Sequence, residues 1–220
     1  MVLTKKLLRI LPGLFFYGLG SYFIIQADIG LAPWEAFNAG CSAAFGISYG
    51  NFVLLSGLVI LAIDALLKEK IGIGTVLNAI LIGKVVDFLH FIQLIPKVQN
   101  FYMGIIILFL GQFLICIGSY LYISAGLGSG PRDSLMVALG KRLPKVPIGL
   151  VRGLIEGTVL LIGWSLGAKV GLGTALAVLS IGVIMQFTFK MLHFQVREVK
   201  HESIADTFLS LRKSKLRLDV

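Results

Sequence analysis

Gly126-Leu127-Gly128-Ser129-Gly130-Pro131-Arg132-Asp133-Ser134-Leu135 is the stretch on which the fold turns, because the chain carries its pattern twice. The other copy is Asp28-Ile29-Gly30-Leu31-Ala32-Pro33-Trp34-Glu35-Ala36-Phe37. In each, a glycine is followed three residues later by proline and two after that by an acid. Proline suits the first turn of a helix, where its missing N–H costs nothing, and an acid there complements the helix dipole. Each copy therefore reads as a break in the chain followed by a new helix N-terminus. In lipid, broken backbone survives only where it is buried in protein or lines a cavity.

The surrounding sequence supplies the lipid. Of 220 residues 57% are hydrophobic and 14% charged, with a mean hydropathy of +0.92. A soluble domain carries about 25% charged residues, so this is a polytopic all-α membrane protein. The net charge of +9 is a matter of topology and gives no sign of nucleic-acid binding. Cys41 and Cys116 lie inside apolar segments and read as small buried hydrophobes. His90, His193 and His201 show no ligand spacing, so neither a metal nor a cofactor is implied. No nucleophile–base arrangement is present, and Gly-x-Gly-Thr at Gly72 and Gly171 lacks the lysine of a phosphate loop. An enzyme is not expected.

Apolar runs at 10–27, 51–67, 72–95, 101–125, 148–166 and 171–192 read as spans. The first, with Lys5, Lys6 and Arg9 ahead of it, looks like a signal peptide in isolation. Its Gly20-Ser21-Tyr22 returns as Gly118-Ser119-Tyr120, so it belongs to the fold. Segments 34–45 and 132–143 fall well short of the roughly 20 residues a span needs and read as re-entrant or half helices. Gly20, Gly30 and Pro33 recur 98 residues later as Gly118, Gly128 and Pro131. Gly50, Gly72, Thr75 and Gly83 recur 99 residues later as Gly149, Gly171, Thr174 and Gly182. The chain is thus two repeats, 1–97 and 98–194, each of three spans and one short helix, followed by a basic tail, 195–220.

Three crossings per repeat start the second copy from the opposite side, so the repeats are inverted. With both termini cytoplasmic, Lys97 and Lys169 alone of the 20 basic residues fall outside. Lys84 and Arg152 fall within spans, and the rest lie inside, as the positive-inside rule requires. Eight crossings would put Lys68, Lys70 and Arg132 outside. In the tail, Ile204, Phe208 and Leu211 recur at helical spacing. They suit an amphipathic helix on anionic inner-leaflet lipids or a solvated polar segment.

Charges within spans are costly and face the bundle interior. Arg152 and Glu156 share a helix face at i,i+4, and Lys84 and Asp87 stand at i,i+3. They read either as ion pairs locking helices together or as a cation- or proton-binding path. At the breaks, the helix starts behind Pro33, Gly128 and Pro131 are suited to an anionic group. Glu35 and Asp133 either serve that site or cap their own helices. Arg132 either adds charge there or snorkels to the inner headgroups. Trp34 and Tyr49 are substrate contacts or interface anchors.

The 126–135 stretch, with Gly171-Leu172-Gly173-Thr174, resembles the YczE/YyaS/YitT family of bacterial integral membrane proteins, over Leu7 to about Leu192. The first copy departs from the pattern at Leu31, Ala32 and Glu35. The resemblance implies a multi-pass protein of the bacterial cytoplasmic membrane and supplies no substrate. Two functions remain open: a small transporter or permease for a small molecule or ion, and a scaffold for another membrane protein or a biosynthetic complex. The bilayer is the one certain partner, and a homo-oligomer is compatible with the sequence.

Overall fold

The two prolines each mark the first residue of a helix, as their fixed φ and missing N–H favour. The computed structural model describes residues 3–196 and 199–209. Its helices run α1 (Leu3–Gln26), α2 (Pro33–Phe45), α3 (Tyr49–Leu66), α4 (Ile73–Phe91), α5 (Phe101–Ser124), α6 (Pro131–Arg142), α7 (Ile148–Ser165) and α8 (Leu172–Met191). All but α2 and α6 are long and apolar enough to cross a membrane. Those two have 13 and 12 residues. The chain is an all-α polytopic membrane protein. Most helix ends fall close to the expected ones. α1, however, reaches back to Leu3 and takes in Lys5, Lys6 and Arg9, and α4 stops at Phe91, short of Ile95.

Small residues decide which helices meet, since lipid tails give apolar faces no preference for one another. α1 and α5 approach through Gly13 against Gly118 and Gly20 against Gly111. A Cβ on Gly20 would stand 2.4 Å from the Gly111 carbonyl oxygen, and one on Gly118 2.6 Å from that of Gly13. α2 meets α7 through Gly40 and Gly163, and α3 meets α4 through Gly50 and Gly83. α4 also packs on α1, α8 on α5, and α6 on α3.

Each break is seated on the Gly-x-Gly-Thr turn of the other half. Gly74 N–H donates to Leu127 O at 2.7 Å, and Gly173 N–H donates to Ile29 O at 3.0 Å. Thr75 and Thr174 each accept from the glycine that opens their own turn, both at 3.2 Å. Gly30 and Gly128 take φ of +129° and +113°, which side-chain-bearing residues rarely adopt. Their neighbours leave no room for one either: a Cβ on Gly128 would lie 2.3 Å from Thr75 Oγ1. Ile10, Leu14, Ile82 and Tyr122 close around Leu127 of the second break. Ala27, Leu108 and Ala177 pack beside Ile29 of the first.

The halves differ at one seam. Between α3 and α4, Asp87 accepts from Ser48 Oγ at 2.6 Å and from Gly50 N–H at 2.7 Å, and Lys84 donates to Asn51 Oδ1 at 2.7 Å. Of the two readings of Lys84 and Asp87, the ion pair does not form among the described residues, because each side chain finds its partner across the seam. At the equivalent seam, a Cβ on Gly149 or Gly182 would meet nothing within 4 Å, and the same holds for Gly153 and Gly157. α7 and α8 are the spans least covered by protein.

Candidate functional site

The starts of α2 and α6 meet at a polar cavity of about 100 Å³. α1 contributes Tyr17 and Ser21, α2 Trp34, α3 Tyr49 and Ser56, α4 Asn78, α5 Tyr122, α6 Arg132 and Asp133, and α7 Arg152 and Glu156. Arg132, Arg152 and Glu156 also line a second space of about 90 Å³ that reaches Pro33, Glu35 and Gln112 on the α8 side.

Arg132 lies over the Trp34 ring, 4.5 Å from its centroid, a cation–π contact. Its guanidinium lines the cavity, as do Trp34 and Tyr49. Arg152 Nε donates to Glu156 Oε1 at 2.7 Å. Tyr122 OH donates to Asp133 Oδ2 at 3.1 Å, and Ser21 Oγ to Glu35 Oε1 at 3.2 Å. Ala32 and Gly130 hold the N-cap positions of their helices and make no side-chain cap bond. Pro131 lines the first space and Pro33 the second. Gly128 serves the seat of the break, and Lys84 and Asp87 serve the α3–α4 seam.

Four polar residues near this site escaped the sequence reading. Tyr17, Tyr122 and Asn78 sit in ordinary-looking apolar helices, and only the i,i+4 spacing of Tyr17 and Ser21 hints at a shared face. Asp64, on α3, is fully buried, and neither carboxylate oxygen has a partner among the described residues. It continues the Val53–Gly57–Ile60 stripe one turn beyond the cavity wall. Among the described residues no cluster of three or more His, Cys, Asp or Glu could hold a metal.

The tail returns to the second break. Glu202 N–H donates to Gly126 O at 2.8 Å and Ile204 N–H to Ile71 O at 3.0 Å, while Lys6 pairs with Glu202. Residues 204–209 are helical, with Asp206 bonded to Ser203 N–H at 3.0 Å and to its hydroxyl at 2.8 Å. Those bonds pull the Asp206 carboxyl below its ordinary range. Leu211 of the expected amphipathic face lies outside the described residues. Burial pushes the His201 imidazole below its ordinary 6.5, partly opposed by Asp133. The docked tail thus binds fewer protons than a free one. Docking should be fullest above about pH 6.5 and weaken as pH falls below it. Hydrogen exchange should show the Glu202 and Ile204 amides losing protection on acidification, after correction for intrinsic rates. His201→Gln should remove that dependence.

A family model described as a family of unknown function, DUF6198, matches residues 4–190. The chain is 34% identical over 178 residues to the uncharacterized membrane protein YczE of Bacillus subtilis, covering 80% of this chain and 81% of that one. It is 31% identical over 183 residues to an uncharacterized protein of Haemophilus influenzae, covering 83% of each. A third relative, the uncharacterized protein YyaS of Bacillus subtilis, is 27% identical over 176 residues, 79% of this chain and 87% of that one. No solved structure matches.

Proposed function

The chain belongs to the DUF6198 family, and from that premise we propose that it is a small secondary transporter of the bacterial cytoplasmic membrane. The observation that carries the reading is the polar cavity where two interrupted segments, one from each half, meet. Transporters built from inverted repeats place their sites at such meeting points, formed by discontinuous helices.

The inverted repeat is part of the proposal, and the contacts support it. Ile29 and Leu127 are equivalent by the 98-residue offset, and Gly74 and Gly173 by the 99-residue one. Each accepts or donates across to the other half in the same way. Gly13·Gly118 and Gly20·Gly111 are likewise one contact seen from its two ends. On this reading both termini are cytoplasmic, and the seams α3–α4 and α7–α8 are the two gates. The first is closed at its extracellular end, the second open towards the cytoplasm. Closing Gly149 on Gly182 while Gly50 leaves Gly83 would turn the cavity to the other side.

A second reading has its own support. The open Gly149, Gly153 and Gly157 suit the close approach of a foreign membrane helix, as a scaffold would use. Spin-label distances separate the two. Labels go on the exposed pairs Ile47/Phe91 and Leu150/Val183. A transporter should give two populations at each pair, one lengthening as the other shortens when pH or ions are varied. A single unchanging distance at both pairs would refute transport and leave the scaffold.

A further inference from the structure

We propose that the cavity and the apolar groove beside it hold a single ligand, an anionic amphiphile with one hydrocarbon chain. The inference rests on reading the cavity as the substrate site. The groove has a volume of about 580 Å³, within the range of small-molecule sites. Phe37, Phe52, Leu55, Val59, Leu154 and Val159 are among its walls. Its lining is almost wholly apolar, and Leu55, Val59 and Leu154 are exposed on the face turned to lipid. A chain can therefore enter sideways from the bilayer.

Groove and cavity meet at Trp34, Ser56, Ile60 and Ile155, which line both. Trp34 carries the Arg132 guanidinium on its ring, so the charge stands at the junction.

Unfilled hydrogen-bond donors, and not net charge, set the headgroup, since Arg132 and Arg152 face Asp133, Glu156 and Glu35 and the field of Arg132 falls on Glu35. Arg152 is paired with Glu156, and Asp133 and Glu35 each accept a hydroxyl. Arg132 has the Trp34 ring and no hydrogen-bond acceptor or ion pair among the described residues. A guanidinium carries five N–H donors in a fork that matches a carboxylate or phosphate. An anionic headgroup would supply the missing acceptors. The cavity's 100 Å³ suits a small headgroup and the groove suits its chain. A soluble anion would leave the groove without a role.

The chain has two tryptophans, so Trp164→Phe leaves Trp34 as the one reporter at the junction. The full-length variant in nanodiscs of neutral lipid is titrated with a brominated fatty acid, a brominated alkyl phosphate and a neutral brominated monoglyceride. Acetate and inorganic phosphate are the chainless probes. The expected result is saturable quenching by the anionic chains, displaced by their unbrominated forms. Arg132→Gln should weaken it about tenfold or more, the scale of one lost charge-assisted contact, and Arg132→Lys should restore part. Leu154→Trp, changed on an exposed wall, is followed by displacement of a fluorescent fatty acid, and should lose affinity without touching the headgroup site. Equal, non-saturating quenching by charged and neutral chains would mean bulk lipid only and overturn the proposal. So would displacement by acetate or phosphate at the chains' own concentrations, which would mark a headgroup-only site. The spin-label populations, read on the same samples, report on transport separately.

Discussion

Gly20→Leu should abolish the folded protein, and Gly20→Ala should lower its melting temperature sharply. A single added methyl at Gly20 would sit 2.4 Å from Gly111 O, 2.7 Å from Ile115 Cγ1 and 2.8 Å from Ile115 N. Two of these three are backbone atoms, so no rotamer change relieves the clash. Overpacking a tight core costs about 1–3 kcal/mol, and a backbone obstruction belongs at the upper end. α1 and α5 are the most extensively packed helix pair among the described residues, and both breaks hang from their ends. Separating them would also unseat Leu127 and Ile29. Gly182→Ala is the matched control, since its Cβ would meet nothing within 4 Å. There the lower chain entropy of alanine should leave stability unchanged or raise it by up to about 1 kcal/mol. Thermal melts in detergent, read by size-exclusion chromatography, compare the two. If Gly20→Ala melts with wild type, the close α1–α5 approach is wrong.

The breaks were legible because proline and glycine act locally. Pro33 and Pro131 fix where α2 and α6 start whatever surrounds them. The small residues at the helix contacts were legible too, since close backbone approach accepts little else. What the sequence hid follows from the solvent. In lipid, outward and inward helix faces are both apolar, so periodicity does not say which side of α1 or α5 meets protein. Tyr17 and Tyr122 therefore gave no sign that they flank one cavity. Arg132 followed a local rule in sequence, a basic residue near the inner face. The tertiary fold brings it to Trp34, 98 residues away in the chain and at the start of the equivalent helix. Asp64 was obscured by its neighbours, because Lys68, Glu69 and Lys70 make the end of α3 look solvated. The open α7–α8 seam could not be read at all. Gly149 and Gly182 match Gly50 and Gly83 as letters, and only the fold separates the packed pair from the unpacked one.

Glu156→Gln should leave the protein folded and remove its conformational response to added cations. The pair with Arg152 is an i,i+4 contact whose side chains are 47% and 20% exposed. Both partners stand on one helix, so the pair ties no two helices together and its weight as a brace is small. Its place is more telling. By the 99-residue offset Arg152 and Glu156 correspond to Val53 and Gly57, and all four residues line the same cavity. One wall is apolar, and the equivalent wall carries an ion pair. On the repeat reading the scaffold can be built without those charges, and their presence on one side alone points to an added task. On the transporter reading, a carboxylate held by one guanidinium in a cavity that opens and closes meets different surroundings in the two states, and a cation drawn to it biases the equilibrium between them. The glutamine keeps the shape and loses the charge. In wild type the two distance populations at Leu150/Val183 should exchange weight as the cation concentration is varied, and in Glu156→Gln their ratio should stay fixed. The opposite outcome is equally readable. If the variant still responds to the cation, while Arg152→Ala misfolds and the double substitution recovers, the pair is a brace and the responding group lies elsewhere in the cavity.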